Sequence, residues 1–136
     1  MYMITSGCTA TTQYAMAEML EKSISGEINF VEDVREYERR ARWMKQIFTD
    51  HGFSIVYDKD VTQQVGAGFF FTLRYPGLTG GELLRELMTY GVSSLSLSTT
   101  GSEQQGVRAC TSRMREELYP VLEERMKAFQ ADHPLK

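Results

Sequence analysis

No apolar run in this chain is long enough to cross a bilayer, and the amino terminus has no basic stretch leading into an apolar core and cleavage site. A membrane span and a secretory leader are therefore not expected. Cysteine is scarce: Cys8 and Cys110 lie about a hundred residues apart and form no metal or redox motif. Free thiols in a cytoplasmic protein are the simplest reading, each thiol buried as a small residue. Histidine is scarcer still in useful company. His51 and His133 have no Cys, Asp or Glu partner at ligand spacing, which argues against zinc or iron. No serine sits in a nucleophile elbow, and no glycine-rich loop runs into Lys-Ser or Lys-Thr. Positive charge is also lacking. A net charge of −3 provides no basic field for nucleic acid or anionic lipid.

What is present suits one domain with a true core: 136 residues, of which 42% are hydrophobic and 24% charged. Residues 11–24 read as a helix with Ala15, Met16, Met19, Leu20 and Ile24 on one face, ended by Gly26. A longer helix follows. Asn29 with Glu32 resembles a capping box, Gly52 supplies the stop, and Phe30, Val34, Tyr37, Ala41, Met44 and Phe48 predict one long buried stripe.

The period then turns extended. Residues 53–57 and 68–75 read as strands, the second one central, with Phe69-Phe70-Phe71 covered on both faces. Pro76-Gly77 is a turn, and Thr79 with Glu82 is a capping box opening a short helix. Leu83, Leu84, Leu87 and Met88 would point inward, and Gly91 closes that helix. Two more strands, Gly91–Ser98 and Gln105–Cys110, flank a polar turn. Thr111 or Ser112 would cap a last helix bearing Met114, Leu118, Val121, Leu122, Met126 and Phe129, kinked or restarted by Pro120. The expected fold class is α+β: a small mixed or antiparallel sheet of about four strands with helices packed on it.

Arg108 is the main candidate site. It sits on a strand among small neighbours (Gly106, Ala109, Cys110), a place from which a guanidinium can grip a carboxylate with two parallel hydrogen bonds. The residues alone leave it open between that anchor and an ordinary solvated arginine. Arg35, Arg39, Arg40 and Arg42 alternate with Glu36 and Glu38 and read as a solvated helix face, not a basic patch. Trp43 reads as packing or a docking surface. Thr5-Ser6-Gly7-Cys8-Thr9 clusters hydroxyls around a glycine, which can present donors to a phosphate, although such clusters usually serve a turn.

Taken in order, these segments resemble the C-terminal small domain of the fold-type-I pyridoxal-phosphate enzymes, the class I/II aminotransferases. Thr5 to Ala15 is similar to the segment after the family's cofactor lysine. Gly68-Phe69-Phe70-Phe71 is similar to its glycine–aromatic strand, Gly91-Val92 to its helix–glycine–valine step, and Gly106-Val107-Arg108 to the place of its substrate arginine. The turn before Arg108 departs from the family, reading Ser98-Thr99-Thr100-Gly101-Ser102-Glu103 in place of Pro-Gly and an aromatic. The resemblance implies that residues 1–136 are one domain of a larger enzyme, the abrupt Met1-Tyr2-Met3-Ile4 and residues 1–28 leading in from a large domain. It implies amino-group transfer between an amino acid and a 2-oxo acid, with pyridoxal phosphate as cofactor and a homodimer as assembly. Arg108 would bind the substrate α-carboxylate, and Ser6 would reach the cofactor phosphate across the dimer interface. The Schiff-base lysine would lie in the large domain. None of Lys22, Lys45, Lys59, Lys127 and Lys136 matches its motif, so the chain alone would be inactive. The alternative is a stand-alone regulatory α+β module binding a small anion through Arg108.

Overall fold

The computed structural model describes residues 7–65 and 68–135. The chain divides into two compact units, Met1–Arg35 and Glu36–Lys136.

The first unit holds α1 (Ala10–Ser25) and the start of α2 (Phe30–Asp50). Gly26 ends α1 at φ 81°, its N–H reaching back to the Lys22 and Ser23 carbonyls. None of the residues of α1 is buried. The apolar set Ala15, Met16, Met19, Leu20 and Ile24 is therefore exposed. At the start of α2 the Glu32 N–H donates to Asn29 Oδ1 at 3.1 Å, one half of the expected capping box.

The second unit is α+β. Strands β1 (Ser54–Ile55), β4 (Phe70–Arg74), β5 (Leu95–Ser96) and β6 (Val107–Cys110) form an antiparallel sheet in the order β1-β4-β6-β5. A separate hairpin, β2 (Lys59–Asp60) with β3 (Gln63–Gln64), was not legible in the sequence. Helices α3 (Gly80–Thr89) and α4 (Tyr119–Asp132) complete the unit. The core gathers on one face of the sheet. Phe71 and Leu73 of β4, with Val107 and Ala109 of β6, pack with Phe48 of α2, Leu83 and Leu87 of α3, and Met126 and Phe129 of α4. Phe129 is its aromatic hub, with ring centroids of Phe53, Tyr75 and Tyr90 at 5.2, 5.1 and 5.3 Å.

Several expectations are corrected. The stripe of α2 is buried only from Ala41 onward, at Ala41, Met44, Ile47 and Phe48; Val34 is exposed, and Phe30 and Tyr37 are half-buried. The strand expected over 53–57 shrinks to two residues because the Tyr57 N–H goes to the Thr72 hydroxyl, 3.2 Å away, instead of a backbone carbonyl. Met88 projects outward from α3, whereas Leu83 and Leu87 are buried and Leu84 half-buried. The run Phe69-Phe70-Phe71 is not covered on both faces: β4 alternates, with Phe71 buried and Phe70 51% exposed.

Neither Thr111 nor Ser112 caps the last helix. Thr111 is buried and extends the β4–β6 pairing, its N–H donating to the Phe69 carbonyl at 2.8 Å. A short 3-10 turn, Glu116–Leu118, intervenes, and Pro120 sits in the first turn of α4, where its missing N–H has no helical partner to lose. Leu122, Met126 and Phe129 are buried, Met114 is half-buried, and Leu118 and Val121 are exposed. Among the described residues no helix is long and apolar enough to cross a membrane.

Candidate functional site

Because side chains alternate across a strand, burying Val107 and Ala109 against the helices places Arg108 on the opposite face of the sheet. There it lies opposite Thr72 of β4 and Leu95 of β5. Phe70, its diagonal neighbour, supplies an aromatic floor, with the guanidinium carbon 4.3 Å from the ring centroid. Two residues beyond Thr72, Arg74 lies on the same face of β4 and donates from Nε to Ser54 Oγ at 3.0 Å. The Tyr57 N–H donates to Thr72 Oγ1 at 3.2 Å, and the Tyr57 hydroxyl lies 2.6 Å from Ser102 Oγ.

The backbone approach that puts Arg108 here is close. Gly106 has φ 144°, and a Cβ on it would collide with the Leu73 carbonyl oxygen. Its own carbonyl accepts from the Leu97 N–H at 3.0 Å. Gln105 Oε1 accepts from the Gly80 N–H at 2.9 Å, tying the turn to the start of α3. That helix start carries the full capping box, with Thr79 Oγ1 accepting from the Glu82 N–H and Glu82 Oε2 accepting from the Thr79 N–H.

The charge environment of Arg108 differs from that of the arginines on α2. Glu36 accepts from Arg40 Nε at 2.7 Å and from Arg39 Nη2 at 2.6 Å, and Arg39 also reaches Glu116 at 2.7 Å. Those hydrogen bonds, Arg40 first and then Arg39, hold the Glu36 carboxyl below its ordinary range. Arg42 pairs with Glu38 and Arg35 with Glu32, in keeping with a solvated face, but Arg40 departs from it: it is half-buried and donates from Nη1 to the Ser112 carbonyl at 3.1 Å. Arg108 forms no ion pair among the described residues, and the four strands of its sheet carry no acidic residue. An exposed-side guanidinium that is half-buried, floored by an aromatic ring and unopposed by carboxylate is suited to binding an anion.

The remaining candidates fall elsewhere. Ser6 and Thr5 lie outside the described residues, and Thr9, the residue before α1, makes no capping bond with its side chain. Cys8 and Cys110 are both exposed, correcting the expectation of buried thiols; Cys110 Sγ lies 3.1 Å from Ser112 Oγ. His51 Nδ1 is 2.7 Å from the Ile47 carbonyl, and His133 stacks on Phe129 with Nε2 3.6 Å from Glu86. Trp43, 54% exposed, stacks on Tyr119. No group of three or more His, Cys, Asp or Glu among the described residues is placed to hold a metal ion. No lysine lies on any strand of the Arg108 sheet, and Lys45 sits over Phe71 on the helical side.

Phe70, Thr72 and Arg74 escaped the reading of the sequence. The signal was there: in Phe70-Phe71-Thr72-Leu73-Arg74 the polar residues Thr72 and Arg74, two positions apart and alternating with Phe71 and Leu73, mark an open strand face. The three consecutive phenylalanines concealed it.

The sequence matches no protein-family model and no curated protein. Among solved structures, the fold is similar to part of a NifS-like protein, with a TM-score of 0.52 and 16% identity. That likeness covers 74% of this chain and 29% of the other, so the chain spans under a third of that protein's length, and at this identity the likeness is one of fold.

Proposed function

We propose that this chain is the carboxylate-binding C-terminal portion of a pyridoxal-phosphate-dependent aminotransferase, with Arg108 gripping the α-carboxylate of an amino acid or 2-oxo acid. One observation carries the reading: Arg108 is half-buried over Phe70, free of ion pairs among the described residues, on a sheet face without acidic strand residues. The fold likeness to a NifS-like protein supports placing such a domain in a larger enzyme. A charge-assisted bidentate contact of this kind contributes about 1.5–3 kcal/mol.

With no lysine on the Arg108 sheet, the reading assigns the cofactor's lysine and most phosphate contacts to a large domain of the same polypeptide. It assigns the assembly as a homodimer, in which Ser6 reaches the partner's cofactor phosphate.

The test is the intact mass of the gene product from source cells, with and without borohydride reduction. A longer product carrying one reduced pyridoxal phosphate on a lysine outside residues 1–136 is the expected result. A product of this length without an adduct overturns the reading and leaves an anion-binding module in its place.

A further inference from the structure

On the helical side of the sheet, opposite the face that carries Arg108, the second unit holds a cavity of about 400 Å³ that is open to solvent on one side. That volume lies in the range of small-ligand sites. Leu73 and Val107 of the sheet, Met44 and Phe48 of α2, and Leu122 of α4 make its apolar wall. Met44, Phe48, Leu73, Val107 and Leu122 are themselves buried, so the wall is built into the core.

The polar part of the lining is one-sided in charge. Arg113 and Arg125 both border the cavity, and no acidic residue does. Arg125 donates one N–H to the Gly91 carbonyl at 2.8 Å, which fixes the guanidinium beside the helix-ending turn and leaves its other donors unassigned. Arg113 forms no hydrogen bond or ion pair among the described residues. Ser94 borders the same cavity, and its Oγ is buried with no hydrogen-bond partner. A buried hydroxyl without a partner costs free energy, and a bound acceptor removes that cost. An apolar wall, two unopposed guanidinium groups and one orphan hydroxyl together describe a ligand with an apolar body and a single acidic head.

We propose that this cavity is a binding site for a monocarboxylate with an apolar body, its head held by Arg113, Arg125 and Ser94. The site is independent of Arg108, because Val107 and Ala109 face it while Arg108, between them in sequence, faces away.

The test is an amide-shift titration of the isotope-labelled chain with sodium octanoate, and with 1-octanol as the uncharged counterpart. Octanoate is expected to give saturable shifts at Val92, Ser93, Ser94 and Arg113, with 1-octanol binding about tenfold more weakly or worse. The double variant Arg113→Gln, Arg125→Gln is expected to lose about tenfold for octanoate and little for octanol. Both arginines are exposed, so the variants should fold. Equal binding of octanoate and octanol would overturn the proposal by reducing the cavity to an apolar void. Shifts confined to the Arg108 face, or none that saturate, would overturn it as well, the second outcome favouring cover by another protein segment.

Discussion

The guanidinium of Arg108 lies over the ring of Phe70, its carbon 4.3 Å from the centroid, across adjacent strands of one sheet. The contact orients a cation without neutralising it, which an ion pair would do. Phe70 thereby becomes a positioning residue for the anion site. Phe70→Ala should leave the buried core intact and weaken carboxylate binding by about 0.5–1 kcal/mol, as loss of an exposed cation–π contact would. Titration of the chain with pyruvate, followed at the Arg108 amide, measures this; an unchanged affinity would remove Phe70 from the site.

Arg108→Lys keeps the charge and loses the planar fork. In the full-length protein we expect weaker amino-acid binding, by about tenfold or more, since a charge-assisted bidentate bond is worth roughly 1.5–3 kcal/mol. Substrate titration of wild type and variant side by side decides the matter. Equal affinities would return Arg108 to the class of solvated arginines.

Gly106 tolerates no side chain. At φ 144°, with the Leu73 carbonyl oxygen where a Cβ would go, Gly106→Ala must strain the backbone or separate β4 from β6. A loss of roughly 1–3 kcal/mol from conformational strain alone is expected, and more if the strands part. Urea unfolding measures it. The carboxylate response at Arg108 should fall in the same variant, because that residue is two positions away on the displaced strand.

The Thr79–Glu82 box ties acid stability to the start of α3. Hydrogen bonds from Thr79 hold the Glu82 carboxyl below its ordinary value of 4.5. A depressed folded-state value contributes stability that is present above pH 4.5 and disappears as pH falls through the lower folded value. Wild type should therefore be more stable than Glu82→Gln at neutral pH, the difference closing below pH 4.5. Thr79→Ala should cost about 1 kcal/mol at neutral pH. Thermal melts across that pH range provide the comparison.

Tyr90 is held neutral by its neighbour. Its hydroxyl donates to Asp132 Oδ2 at 2.5 Å, and this bond, with burial behind it, pushes the phenol up to about 12. A raised phenol value stabilises the folded chain at ordinary pH, an advantage lost as pH rises from 10 through about 12. Absorbance titration should show Tyr90 among the last phenols to ionise. Asp132→Asn should bring it back toward 10.

Much of this protein could be read from residues along the chain. The Thr79 capping box, the glycine stops at Gly26 and Gly52, the four-stranded α+β layout and the buried positions Leu122, Met126 and Phe129 all follow from local chemistry. Caps, left-handed glycines and hydrophobic periods act within a turn or two of chain, so sequence spacing suffices to find them. Burial is another matter. The stripe of α2 is continuous in sequence, yet only the stretch from Ala41 onward is buried, because burial depends on which elements lie opposite. The same holds for the open face of β4. Whether Phe70 is core or floor was decided by pairing β4 with β6, which set Arg108 beside it. The cavity bordered by Ser94, Arg113 and Arg125 likewise joins residues from separate segments. Only tertiary structure brings them to one place, since no local rule relates a loop serine to arginines some twenty and thirty residues further on.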